Sequence, residues 1–438
     1  MKISSILGLN SRGVLYTSKY NSRSAKKIAD SKLLTHAVLK RFDVPHPKIY
    51  KKFKNPEDVI DYDWNKLPSS FALKPSRGLG GEGIIVVKKK INNYWSTTSR
   101  QKITAEDLKL QTLDILEGAY SMGNEPDTAF VQEYVGKHRR FFKLAFRGTP
   151  DIRVIVFNKI PVMAMLRLPT RESGGRANLH QGALGLGIDI GSGMTTNAIW
   201  HNNPIEKSPD FETKLKGVKV PYWQKILEIA VKAQIASGLG YAGVDVVLHP
   251  DKGPMIIELN AQPGLSIQLA NMEGLKKRLE RVDDMDVIDV GHGVRIAKAL
   301  FGGRYKGKIK DSPDEVKLIK AVEEIKIKDI DGKKHKVLSK IDTGAWSSAI
   351  DKKYAKALGL LKKDRILWFR DKLSSLGKEA RPVIPVTIYL SGRKIKTNMT
   401  VADRKLLRYD VLIGRIDLQG FLVNPEIDKD KLVKAKWS

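Results

Sequence analysis

Lys74-Pro75-Ser76-Arg77-Gly78-Leu79-Gly80-Gly81-Glu82-Gly83, followed by the apolar run Ile84-Ile85-Val86-Val87, is the stretch on which the fold turns. Phe71-Ala72-Leu73 leads into it as a strand, so Lys74 stands at a strand end before a glycine-rich turn. A lysine there can reach a phosphate. A glycine loop can close backbone N–H groups over phosphates without side-chain obstruction. The stretch ends in a strand rather than in Gly-Lys-Ser/Thr opening a helix, so it is not a P-loop. Taken alone, it is equally an ordinary hairpin turn.

Working outward, three further groups of residues bear on the same chemistry. Phe130-Val131-Gln132-Glu133-Tyr134-Val135 is an apolar strand edge whose backbone can present itself to a purine; by itself it also fits a buried strand. Asp245, Glu258 and Asn260 fall on two strands, Val244 to Leu248 and Met255 to Leu259, joined by the turn His249 to Pro254. Hard oxygen donors of this kind suit Mg²⁺ or Mn²⁺, and the sharp turn Asn260-Ala261-Gln262-Pro263-Gly264 holds the strand end. Asp151, Arg153, Arg167, Arg176 and Asn178 form the last group. Arginines clamp phosphate and carboxylate oxygens, as the transition state of acyl-phosphate chemistry requires. His180, in the same run, reads as a structural histidine rather than a base.

The chain has 438 residues, 42% of them hydrophobic, which is enough for two or three domains. There is no cysteine, which excludes disulfides, thiolate metal sites and a Cys nucleophile. No apolar run is long enough for a bilayer, so the sequence reads as that of a cytoplasmic protein without membrane contact. Lys and Arg number 78 against 48 Asp and Glu, a net charge of +30. Such a surface attracts phosphates, nucleic acid or acidic partners. Nucleic-acid binding is the lesser reading, because the lysine clusters are not interleaved with aromatics.

Four regions follow from pattern. Residues 1–29 are a basic lead-in without Asp or Glu. An organellar transit peptide is the minor reading of it, since Ile3 to Leu9 resembles a short strand and no amphipathic period is sustained. Residues 30–304 alternate helical and strand patterns. Asp30 is expected to cap a helix from Ser31 to Phe42 with Leu33, Leu34, Ala37, Val38 and Phe42 on one face. Tyr222 to Ser237 reads as a second helix, stopped by Gly238. Residues 305–314 read as a linker. Residues 315–438 are short β-rich runs punctuated by Gly, Asn and Asp, as in a small all-β domain.

In this order and spacing, from Ile6-Leu7-Gly8-Leu9-Asn10 to Gly264, the motifs resemble the ATP-grasp superfamily, and within it the alpha-L-glutamate ligase-like proteins. The resemblance implies an α+β fold in which two α/β subdomains clamp ATP. It implies a carboxylate-amine ligase that joins glutamate or another amino acid to a peptide or protein acceptor. Lys32 and Lys74 would meet the phosphates and Gly78 to Gly83, including Gly80 and Gly81, would form the lid. Glu133, Tyr134 and Val135 would line the adenine pocket, with Asp151 on the ribose side. Arg153 would clamp the reacting group, and Arg176 and Asn178 would lie near the transferring phosphate. Asp245, Glu258 and Asn260 would hold Mg²⁺. Members of the superfamily commonly carry a full α/β domain before these parts, whereas about thirty residues precede the first helix expected here, which leaves open how the acceptor is held.

Farther on, Lys340-Ile341-Asp342-Thr343-Gly344-Ala345 delivers Asp-Thr-Gly into a turn, and Tyr409-Asp410-Val411-Leu412-Ile413-Gly414-Arg415 follows. The pair resembles the retropepsin-like aspartic proteases of the bacterial "ATP-dependent zinc protease" group, and implies a small β-barrel with Asp342 as catalytic aspartate. One Asp-Thr-Gly supplies one carboxylate, so hydrolysis would need a homodimer. A zinc role finds little in this region beyond His335. The alternatives are a noncatalytic dimerisation or binding module at this end, or a ribosome- or RNA-associated factor overall.

Overall fold

The computed structural model describes residues 3–78, 81–303, 317–374, 377–405 and 407–427. Gly80 and the 305–314 linker fall outside them. The backbone divides into two compact units, Met1–Tyr305 and Lys306–Ser438.

The first unit holds two antiparallel sheets. One has six strands, with Phe71–Pro75 between Ala129–Glu133 and Ile85–Ile91. Its core gathers Phe53, Trp64, Phe71, Leu73, Trp95 and Ile115. The other has seven strands, running from Asn203–Ile205 at one edge to Asp151–Phe157, Tyr241–His249 and Gly253–Asn260 at the other. Its central strands are buried almost throughout, and for that reason they read as continuous apolar runs rather than alternating ones. The helices Trp223–Ser237, Ile267–Asn271 and Val290–Phe301 pack against it.

The start of the chain departs from expectation. Ile3–Ser5 is a 3₁₀ turn, and short helical segments follow at Leu9–Ser11, Arg12–Ser18 and Arg23–Ala29. Leu7 therefore lies in no strand. Its N–H donates to Gln268 Oε1 and its C=O accepts from Gln268 Nε2, so one side-chain amide replaces a strand partner. Arg12 donates to the carbonyl of Pro263, and Asn21 to those of Tyr241 and Ala261. The lead-in is thus tied to the turn that follows Glu258 and Asn260.

The next helix is Lys32–Arg41, and Ser31 rather than Asp30 caps it, accepting from the Leu34 N–H. Asp30 ends the preceding helix. Thr35 and Leu39 are the buried positions, while Leu34 and Phe42 are exposed, so the inward face is rotated from the expected one. The cause is tertiary: this helix meets Trp223–Ser237 and the Gly253–Asn260 strand.

In the second unit, Val322–Lys328, Lys334–Asp342, Val411–Gly414, Ala349–Asp351, Arg393–Ala402 and Gly377–Leu390 pair in that order, and the last closes back on the first. The result is a six-stranded barrel, with Trp368–Ser374 as an outer seventh strand. Ile325, Ile327, Ile350, Ile384, Ile388 and Ile413 fill it.

Candidate functional site

Lys74 sits on a central strand of the six-stranded sheet, and its ammonium donates to Gln132 Oε1 at 2.9 Å from the adjacent strand. Burial, with the charge of Lys32 close by, lowers its pKa to about 8 against the opposing pull of Glu258. Lys32 Nζ donates to the carbonyl of Gly78 at 2.7 Å and lies 3.7 Å from the Glu258 carboxylate. Lys74 of the first sheet, Lys32 at the start of its helix and a carboxylate of the second sheet therefore converge beside Gly78. Gly81 and Gly83 have φ of +84° and +67°, which L side chains rarely adopt, and a Cβ at Gly83 would meet the Tyr120 ring at 2.5 Å.

Glu133 ends its strand, and Tyr134 and Val135 lie just past it. Burial would raise the Glu133 pKa, but the ion pair with Lys252 and the Lys48 N–H hold it below the usual range. Val135 packs with Val247, Met255 and Ile257 from the second sheet, an apolar cluster that joins the two sheets. Lys252, on the turn between the last two strands, and His249, at the end of the strand before it, were not singled out by the sequence as partners of Glu133, because nothing in local spacing connects them.

Asp245 and Glu258 stand directly opposite each other on neighbouring strands. Like charges so placed repel. Arg153 offsets this at Asp245 with a bidentate pair of 2.7 and 2.6 Å, and Arg167 adds a bond of 2.8 Å. Arg167 also grips Asp151 at 2.5 and 2.7 Å. Burial would raise the Asp245 pKa, yet the two guanidiniums bring it down to about 2. Asp151, by contrast, is pushed up to about 6 by burial and the Asp245 charge, against Arg167. Asn260 Nδ2 reaches Asp245 at 3.4 Å, which leaves its amide oxygen as a donor atom. Arg153 thus faces a carboxylate here. Arg176 is exposed on the loop after Thr170, and Asn178 caps a 3₁₀ turn by accepting from the His180 N–H.

Among the described residues no three His, Cys, Asp or Glu side chains gather as a ready metal site. The Glu258 carboxylate and the Asn260 amide oxygen are hard donors of the kind Mg²⁺ accepts when phosphates and water complete its shell, whereas both oxygens of Asp245, expected as a third ligand, are taken by Arg153 and Arg167. Lys32 and Lys74 likewise fit the phosphates of a nucleotide.

In the second unit, Asp342 Oδ1 accepts from the Gly344 and Ala345 N–H groups at 2.9 and 3.0 Å, with Lys340 Nζ 3.4 Å away. Burial would raise its pKa, but the Ala345 N–H, Lys340 and the Gly344 N–H together keep it low. Asp342 pairs in parallel with Gly414, where a Cβ would meet the Ser347 backbone at 2.6 Å.

Comparison with known proteins places residues 11–284 in the family described as "Sugar-transfer associated ATP-grasp". The chain is 26% identical over 257 residues to the tetrahydromethanopterin:alpha-L-glutamate ligase of Methanocaldococcus jannaschii, covering 58% of this chain and 66% of that one. It is 30% identical over 135 residues to a probable alpha-L-glutamate ligase of Citrobacter koseri, covering 31% of each. It spans just under two thirds of the first relative and about a third of the second. The solved ATP-grasp ligase PsnB, complexed with a minimal precursor, is 17% identical and has a TM-score of 0.33, covering 60% of this chain and 63% of that one.

Proposed function

The chain belongs to the sugar-transfer associated ATP-grasp family, and on that premise we propose that its first unit is a carboxylate-amine ligase using ATP and Mg²⁺. One observation carries the reading: Lys32, Lys74 and Glu258 meet beside the glycine loop, although they come from three elements of two subdomains. When bound, ATP supplies the phosphoryl group that turns a carboxylate into an acyl phosphate, and Mg²⁺ lowers the phosphate charge. Lys32 and Lys74 hold the phosphates from the lysine side, and the Gly78–Gly83 loop covers them. Val135 and its apolar neighbours, with Tyr134 and Glu133, take the base, and Asp151 belongs to the ribose side. Glu258 and Asn260, with Asp245 beside them, would hold the metal. Arg153 would supply a guanidinium for the developing charge, and Arg176 with Asn178 would reach the transferring phosphate. The amine donor is glutamate or a similar amino acid, and the acceptor a peptide or protein carboxylate. A screen of amino acids and acidic peptides for stimulated ADP release, with mass spectrometry of the products, tests this. Products lacking a new amide bond overturn it.

For the second unit, the reading is a retropepsin-like aspartic protease domain acting as a homodimer on peptide or isopeptide bonds. The Asp342 turn above Gly414 supports it. A noncatalytic module is favoured by a different observation. Lys340 and two N–H groups keep Asp342 ionised, whereas a shared-proton pair needs one of its carboxylates neutral.

A further inference from the structure

One face of the barrel carries a row of side chains across four strands. Lys336 lies opposite Lys326, Lys326 opposite Tyr389, and Tyr389 opposite Lys394. Residues directly opposite share a face of the sheet. Lys334 opposite Lys328 extends the row on one side. The lysines at 326, 334, 336 and 394 are exposed, and the alternating Ile325, Ile327 and Ile388 point to the core. Tyr389 is half-buried, and Lys334 Nζ stands 4.4 Å from its ring centroid, so the ring turns a face toward the lysines.

Like charges directly opposite each other in a sheet destabilise it. Here two such pairs are adjacent, and one carboxylate, Glu324, lies 3.0 Å from Lys336. Exposed strand positions accept Thr or Gln with no loss of core packing, so the fold itself does not call for this repulsion. An anion laid across the row removes it. Strands are about 4.8 Å apart, so the row spans roughly 14 Å. A ring among cations on a sheet adds a stacking surface for an unpaired base. The row holds no exposed aliphatic or Trp side chain to enter a bilayer, as a membrane-binding face requires.

We propose that this face binds single-stranded nucleic acid, with phosphates at Lys326, Lys336 and Lys394 and a base against Tyr389. The proposal stands apart from the ligase and protease readings.

Fluorescence anisotropy of labelled twelve-nucleotide oligo(U) and oligo(dT), titrated with the full chain over a series of KCl concentrations, tests it. Binding is expected at low salt, weakening with a log–log slope of about −0.7 per phosphate neutralised. The triple variant Lys326→Gln/Lys336→Gln/Lys394→Gln should bind about tenfold or more weakly, with a slope flattened by about 2. Tyr389→Ala should bind about fivefold or more weakly with the slope unchanged. The corresponding Lys→Arg triple should bind as wild type, and if the Gln triple does not fold, wild-type affinity in Tyr389→Ala overturns the proposal. Because it removes repulsion, the Gln triple should melt no lower than wild type in low salt. ATP-dependent ADP release should be the same in all. Preference for oligo(U) assigns RNA, and equal affinity assigns either strand. Wild-type affinity in the Gln triple overturns the proposal, as does capture by phosphatidylserine vesicles under conditions where neither oligonucleotide binds.

Discussion

Lys32 Nζ and the Glu258 carboxylate stand 3.7 Å apart, which joins the start of the Lys32–Arg41 helix to the last strand of the seven-stranded sheet. The contact brings the lysine proposed for the phosphates and the carboxylate proposed for the metal to one place.

Glu258→Gln should lower ADP release about a hundredfold or more, since an amide is a poor ligand for Mg²⁺ where a carboxylate is needed. The side chain is 38% exposed and its ion pair is open to solvent, so stability should change by less than about 1 kcal/mol. Thermal melts and ADP release on one sample check both. Full turnover in the variant removes Glu258 from the metal site.

Lys74→Ala should raise the apparent KM for ATP about tenfold or more, because a buried charge-assisted contact is lost. Burial and the Lys32 charge lower the ammonium pKa to about 8, so ATP affinity should fall as pH rises through 8. The stability linkage has the opposite direction. The unfolded chain keeps this proton up to about 10.4 while the folded chain releases it near 8, so between these values stability rises with pH. Lys74→Met should remove that slope. An unaltered KM profile across pH 7–9 would mean that Lys74 does not meet the phosphates.

Asp245→Asn should destabilise the fold by about 3–5 kcal/mol, measured by urea unfolding in EDTA, because Arg153 and Arg167 lose their shared buried acceptor. Asp151→Asn should cost less near neutral pH. With its pKa raised to about 6, Asp151 binds a proton in the folded state that the unfolded state has already lost. It therefore removes stability as pH rises from about 4 to 6. Asp245, held down near 2, contributes stability above about pH 4 that is lost on acidification toward 2. A wild-type melting profile for Asp245→Asn would show that the arginines are satisfied without it.

Asp342→Asn separates the two readings of the barrel. If two copies of Asp342 share a proton, a wild-type peptide digest should peak at mildly acidic pH and rise with protein concentration. The variant should then lose all hydrolysis while ADP release is unaffected. No cleavage by a verified wild-type dimer favours the binding module. Cleavage at the wild-type rate by the variant would falsify a catalytic role for Asp342.

The local geometry of the candidate site was legible where it depends on neighbours in the chain. Lys74 before its glycine loop, Glu258 and Asn260 before the Ala261–Gly264 turn, and Asp342 in Asp-Thr-Gly are local arrangements, written by strand periodicity and turn chemistry. The strands Phe71–Pro75, Tyr241–His249 and Gly253–Asn260 followed for the same reason, because a run of buried apolar residues closed by Gly or Pro has one compact solution. Strand pairing across the chain decided the rest. Asp245 reads as a free metal ligand until Arg153 and Arg167 arrive from two other strands. The lead-in reads as a strand until Gln268 takes both backbone groups of Leu7. The lysines of the barrel look scattered until register sets Lys336, Lys326 and Lys394 in one row. A sequence states which residues are neighbours along the chain. Which charges share a face follows from register, and register is chosen by burial of the opposite, apolar face.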